Sequence, residues 1–153
     1  MLAQIPATSC LTLAEALVST AKDLPPREGK HALRVLVVDD EPLVRWAIAE
    51  TLGLEGYEVD EAGDADRAVH VLCDGSSLPD IVLLDLRLPD CSDLTLLERV
   101  RLLAPAATVI LMTAYGTPAV RQRARSLGAA LVLDKPFDVD RLEGMISWLR
   151  RRQ

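Results

Sequence analysis

The chain has 153 residues, of which 50% are hydrophobic and 26% charged, and carries a formal net charge of −6. That length accommodates one ordinary domain and a short extension, which excludes a multidomain enzyme, and the apolar content excludes a disordered acidic tail. The acidic balance, with a pI near 4.9, repels a phosphate backbone, so no direct nucleic-acid partner is expected.

Residues 1–32 read as an N-terminal extension. Three basic residues (Lys22, Arg27, Lys30) balance three acidic ones (Glu15, Asp23, Glu28), so the whole −6 belongs to residues 33–153. Thr12 with Glu15 makes a capping box ahead of apolar Leu13, Leu17, Val18 and Ala21, and Leu24-Pro25-Pro26 stops the pattern. This predicts a short amphipathic helix and a linker; the apolar stripe could pack on the domain or on a partner, and a loosely ordered extension reads equally well. The first basic residue, Lys22, follows the apolar stretch, so there is no secretory signature, and no uncharged run is long enough to span a bilayer. Cys10, Cys73 and Cys91 stand in no CxxC or Cys/His spacing, suggesting neither a disulfide framework nor a zinc site. A cytoplasmic location is expected.

From residue 33 short apolar runs alternate with helix-period segments, the pattern of βα units around a parallel sheet. Strands are predicted at 33–39, 57–61, 80–85, 107–113 and 129–134, all but the second reading as continuous Val/Ile/Leu runs of the kind buried parallel strands show. Helices are predicted at 42–55, 64–74, 92–103, 117–127 and 138–151. In the last, Leu142, Met145, Ile146 and Leu149 fall at i, i+3, i+4 and i+7. Gly56 and Gly128 follow the first and fourth helices as stop signals. The fold class is therefore α/β: a doubly wound five-stranded parallel sheet with helices on both faces.

In such sheets chemistry collects beyond the carboxyl ends of the strands. The first strand ends in Asp39-Asp40-Glu41, the third in Asp85, the fourth in Thr113 and the fifth in Asp134-Lys135-Pro136. With strand order 2-1-3-4-5, Asp39, Asp40 and Asp85 surround one small volume at the switch point, where their charges repel. A hard divalent cation resolves that repulsion, and Mg²⁺ suits an all-oxygen site shared with a phosphate. Asp85, ending the most apolar strand, is placed to act as a nucleophile towards phosphorus. Thr113 could donate to a phosphoryl oxygen while Lys135 neutralises another. Residues 33–153 contain thirteen arginines and one lysine, Lys135, whose compact ammonium enters a narrow phosphate pocket as a guanidinium fork does not. Pro136 admits a cis peptide.

Structural explanations cover less of the pattern. Asp40 or Glu41 before Pro42 suits a helix start, but this leaves Asp39 unexplained. Asp85, flanked by Ile81-Val82-Leu83-Leu84 and Leu86, would be a buried carboxylate without a partner, which is strongly disfavoured. His70 has no second ligand nearby and reads as a surface or boundary residue, Cys91 as an inert thiol near the site, and Arg150-Arg151-Arg152 as complementing the last helix dipole.

The stretches VLVVDDEPLVR (35–45), DIVLLDLRLPD (80–90), VILMTAYG (109–116) and LDKPFD (133–138) together resemble the receiver domain of two-component response regulators, especially receivers of transcriptional activators, over residues 33–150. The resemblance implies a flavodoxin-like fold in which Asp85 accepts a phosphoryl group from a histidine kinase, a phosphotransfer protein or a small phosphodonor. Mg²⁺ would be held by Asp40, Asp85 and the backbone carbonyl of Arg87, with Asp39 acting through metal-bound water and Thr113 and Lys135 touching the phosphoryl group. It further implies a phosphoprotein that assists its own phosphorylation and dephosphorylation without being a turnover enzyme. Signalling would pass to a downstream protein, or to a second copy, through the last two helices and the fifth strand. With no effector segment after the last helix, a stand-alone receiver or an excised fragment is expected.

Three positions depart from that pattern. Val132 replaces the usual aromatic three residues before the lysine, Asp93 stands where glycine is common, and Leu88 replaces methionine. Arg87 and Tyr115 occupy positions flanking the path of the hydrolytic water, where bulk implies a long-lived phosphoryl group. Val132 also leaves open a receiver-like interaction module that works without phosphorylation. A Mg²⁺-dependent phosphatase lacks a second acid two residues after Asp85, and a nucleotide binder lacks a Gly-rich loop after the first strand.

Overall fold

The computed structural model describes residues 32–74 and 76–152. The helix expected within residues 12–21 and its linker lie outside the described residues. Five parallel strands, β1 (Arg34–Val38), β2 (Glu58–Ala62), β3 (Ile81–Asp85), β4 (Thr108–Thr113) and β5 (Ala129–Asp134), form one sheet in the order β2-β1-β3-β4-β5. The helices are α1 (Pro42–Leu54), α2 (Ala65–Cys73), α3 (Thr95–Leu103), α4 (Pro118–Ser126) and α5 (Leu142–Arg150), the last preceded by a 3₁₀ turn at Val139–Arg141. The expected topology is thus present.

Alternation along the strands divides the core into two layers. Val35 and Val37, Ile81 and Leu83, and Ile110 and Met112 face Ile48 and Leu52 of α1 and Leu142, Ile146 and Leu149 of α5. Leu36 and Val38, Val82 and Leu84, and Val109 and Leu111 face α2, α3 and Ala124 of α4. Such two-sided burial is what continuous apolar runs in parallel strands require, and each fully buried Leu, Ile or Val stabilises the fold by about 1.5–3 kcal/mol. β2, at the sheet edge, is buried only at Ala62, which is why its sequence looks least like a buried strand.

Helix ends follow local chemistry. Pro42 and Pro118 open α1 and α4, where a missing N–H costs nothing, and the Thr117 hydroxyl accepts from Val120 N–H. Gly56 and Gly128, at φ 88° and 96°, turn the chain after α1 and α4 in a conformation that favours glycine.

The sequence placed the start of the third helix too early, at 92. Residues 88–91 instead form a tight turn in which Leu88 and Cys91 exchange backbone hydrogen bonds, and the Asp93 carboxylate accepts from Thr95 N–H at 2.8 Å, starting α3 there. Asp93 does this without a left-handed backbone. His70 is exposed, as expected. Among the described residues Cys91 is a free thiol. No helix among the described residues is long and apolar enough to cross a membrane.

Candidate functional site

The carboxyl ends of β1, β3, β4 and β5 meet above the sheet. Asp39 directly follows β1 and is fully buried; Asp85 is the last residue of β3 and 6% exposed; Asp40, one residue further along the first loop, is exposed. A carboxylate oxygen from each of the three lies within 4.8 Å of the others. Adjacent pairing of β1 and β3, Val38 against Leu84, creates this meeting of charges, which the sequence placed at the switch point.

Lys135 enters the cluster from the far end of β5. Its Nζ lies 2.6 Å from Asp39 Oδ2, 3.1 Å from Asp85 Oδ2 and 3.6 Å from Glu41 Oε1. The backbone fixes where the side chain starts, because Lys135 N–H donates to the Thr113 carbonyl at 2.8 Å. The second oxygen of each buried acid is also held: Asp39 Oδ1 accepts from Glu41 N–H at 2.9 Å, and Asp85 Oδ1 from Arg87 N–H at 3.1 Å.

Burial is the largest influence on Asp85 and pushes its pKa up; the Arg87 N–H and the Lys135 charge oppose this, while Asp39 adds to it, leaving the carboxyl above its ordinary value. Lys135 is pulled down by burial, but its hydrogen bond to Asp39 and the charges of Asp85 and Asp39 outweigh that and hold it above its usual value. The ammonium therefore stays charged at neutral pH. One cation among Asp39, Asp40 and Asp85 leaves excess negative charge in an all-oxygen donor set, the chemistry that fits Mg²⁺.

Thr113 ends β4, buried at 2% exposure. Its Oγ1 accepts from Tyr115 N–H at 3.1 Å, which leaves the hydroxyl proton available to a ligand. Arg87 and Tyr115 meet at the rim, the guanidinium carbon 5.3 Å from the ring centroid, and Tyr115 is 70% exposed. Every site residue expected from the sequence thus lies at this end of the sheet.

Arg45 was missed. Its Nη1 donates to the Asp39 carbonyl at 2.6 Å and its Nε pairs with Glu61 of β2 at 3.1 Å, anchoring the backbone of a buried acid. The available signal was its place one helical turn after Glu41, whose carbonyl accepts Arg45 N–H.

Comparison with known proteins agrees with this geometry. Residues 35–147 match the family model described as the response regulator receiver domain. The chain is similar to sporulation initiation phosphotransferase F of Bacillus subtilis, 32% identical over 114 residues that make up 74% of this chain and 90% of that protein. It is also 37% identical over 114 residues to regulatory protein AtoC of Escherichia coli, of which it spans only 24%. Among solved structures, a CheY-like receiver domain from Methanospirillum hungatei superposes with a TM-score of 0.72 at 28% identity, covering 80% of this chain and 97% of that one.

Proposed function

The chain belongs to the response regulator receiver domain family of two-component signalling, and on that premise we propose that Asp85 is its phosphoacceptor, in a Mg²⁺-dependent reaction with a histidine kinase or a phosphotransfer protein. The observation that carries this reading is the buried Asp85 carboxylate, tied through Oδ2 to Lys135 and through Oδ1 to Arg87 N–H, beside Asp39 and Asp40.

A carboxylate oxygen of Asp85 forms the new O–P bond as the donor's P–N bond breaks, the electron pair leaving with the imidazole. With a small acyl phosphate the broken bond is P–O and the leaving group is a carboxylate. Asp39, Asp40, Asp85 and the Arg87 carbonyl would hold Mg²⁺, which when bound supplies neutralisation of phosphoryl charge. Lys135 pairs with one phosphoryl oxygen and the Thr113 hydroxyl donates to another. The same groups assist both gain and loss of the phosphoryl group, so the chain acts as a switch and not as a turnover enzyme. Its output, in this reading, is altered contact of α4, β5 and α5 with a downstream protein or a second copy, in the cytoplasm and without direct binding to nucleic acid.

Val132, 6% exposed in β5, favours a second reading, a receiver-like interaction module independent of phosphorylation. Intact mass after incubation with acetyl phosphate separates the two. One phosphoryl adduct that requires both Asp85, tested by Asp85→Asn, and Mg²⁺, tested by chelation, supports the phosphoacceptor reading. No adduct with either acetyl phosphate or a phosphorylated kinase supports the module.

A further inference from the structure

Arg121, on α4, grips two separate segments. Its Nε donates to the Gly116 carbonyl at 3.0 Å and its Nη1 to the Val132 carbonyl at 3.3 Å. Nη2 reaches both carboxylate oxygens of Asp134, Oδ1 at 2.5 Å. An exposed ion pair alone contributes little, and Asp134 is indeed largely exposed. The geometry here is that of a rigid planar fork meeting two carbonyls and a carboxylate at once, a set of contacts that a single ammonium cannot reproduce. Gly116 makes room for it. A Cβ there would lie 2.9 Å from Arg121 Nη2 and 2.9 Å from Asp134 Oδ1, although the φ of Gly116 is one that other residues adopt.

The two gripped segments are those that carry the phosphoryl-binding groups. Gly116 directly follows Tyr115, whose N–H holds the Thr113 hydroxyl oxygen. Asp134 directly precedes Lys135, whose N–H holds the Thr113 carbonyl, and Asp134 pairs in register with Thr113. The contacts therefore close a ring from Thr113 through the loop to Gly116, across Arg121 to Asp134, and back through Lys135.

We propose that Arg121 is a positioning residue for phosphotransfer, fixing the Thr113 hydroxyl and the Lys135 ammonium relative to each other so that both meet the phosphoryl group on Asp85. The proposal rests on Asp85 being the phosphoacceptor. Misplacement of a positioning contact by about 1 Å can cost up to about 10²-fold in rate, and an indirect contact of this kind is expected to cost about tenfold.

The test follows adduct formation by intact mass across acetyl phosphate concentrations with Mg²⁺ for wild type, Arg121→Gln, Arg121→Lys, Gly116→Ala and Asp134→Asn. The maximal rate constant is expected to fall about tenfold in Arg121→Gln and in Gly116→Ala, which displaces the fork without removing a charge. The half-saturating Mg²⁺ concentration should not move, since Asp39, Asp40 and Asp85 are untouched. Arg121→Lys should not restore the rate, and adding Asp134→Asn to Arg121→Gln should slow it no further. Wild-type rates in Arg121→Gln, or full rescue by lysine, overturn the proposal; a lowered melting temperature at an unchanged rate also does, by making the contacts merely structural. Failure of wild type to form any adduct with acetyl phosphate or a phosphorylated kinase would instead overturn the phosphoacceptor reading beneath it.

Discussion

The guanidinium of Arg87 lies over the ring of Tyr115, 5.3 Å from its centroid, at the end of the sheet where Asp85 sits. Arg87 comes from the loop after β3 and Tyr115 from the loop after β4, so the contact bridges the two strands that carry Asp85 and Thr113. A cation–π contact at an exposed site is worth about 0.5–1 kcal/mol, enough to favour this arrangement without locking it. On the proposed reading, the pair would narrow the approach of water to a phosphoryl group on Asp85. Combining Arg87→Asn with Tyr115→Ala is expected to speed loss of the phosphoryl label severalfold, measured by intact mass after the phosphodonor is removed. An unchanged rate would show that the pair does not shield the site.

Removing charge from the acid cluster should stabilise the metal-free protein. Burial and the neighbouring Asp39 both disfavour the ionised Asp85 carboxylate, and an amide keeps an acceptor oxygen for the Arg87 N–H. In chelator at pH 7, Asp85→Asn is expected to melt about 2–8 °C above wild type, the shift that ~1 kcal/mol produces in domains of this size. Mg²⁺ should raise the wild-type melting temperature more than the variant's, because a ligand that binds only the folded state stabilises by mass action. Equal Mg²⁺ responses would mean that Asp85 contributes nothing to the metal site.

How far this was legible in the sequence depends on where each signal resided. Asp39 and Asp85 were conspicuous because each terminates an apolar run, where a carboxylate needs a reason to be buried. Lys135 stood out as the sole lysine of the domain. βα alternation implies a parallel sheet whose strand ends converge; the order 2-1-3-4-5 entered as an assumption, and both are present. Arg45 was marked only by its place one helical turn after Glu41, and Arg121 not at all, since the thirteen arginines of residues 33–153 look alike in sequence and tertiary geometry shows which ones bond backbone carbonyls beside the site. The late start of α3 was hidden for a different reason. It depends on a turn at 88–91 and on the Asp93 carboxylate, while helical periodicity ran on smoothly through the preceding residues.

Val132 fixes a further expectation. It is buried in β5, and a β-branched side chain has no long arm to swing between buried and exposed positions. Coupling from the phosphoryl site to the α4-β5-α5 face through this residue should be weak. Sedimentation velocity with acetyl phosphate and Mg²⁺ is expected to give the same coefficient as with chelator. A clear phosphorylation-dependent increase would show that dimerisation is coupled by another route, for which the Arg121 contacts to Gly116, Val132 and Asp134 are the available path.

The loop that follows β3 also holds the start of α2. Asp90 accepts from Ala65 N–H at 2.8 Å and from Asp66 N–H at 2.9 Å, while Asp64 accepts from Arg67 N–H at 2.7 Å, so the first three amides of the helix all reach carboxylates. Burial opposes ionisation of Asp90 most strongly, yet the bonds to these amides, helped by Arg99, outweigh it and hold the carboxyl below its ordinary value. The sign of the pH effect follows. A group whose pKa is lower in the folded state contributes stability above its unfolded pKa, about 3.9 for aspartate, and loses that contribution as pH falls through the folded value. Asp90→Ala is therefore expected to destabilise the protein at pH 7 by about 1 kcal/mol, the typical cost of losing a helix cap, with the deficit shrinking as pH falls below 4. Asp90→Asn keeps an acceptor and should lose less. Urea unfolding of the three proteins at pH 7 and pH 3 would check this, and a deficit of equal size at both values would assign the loss to packing instead of to the carboxylate.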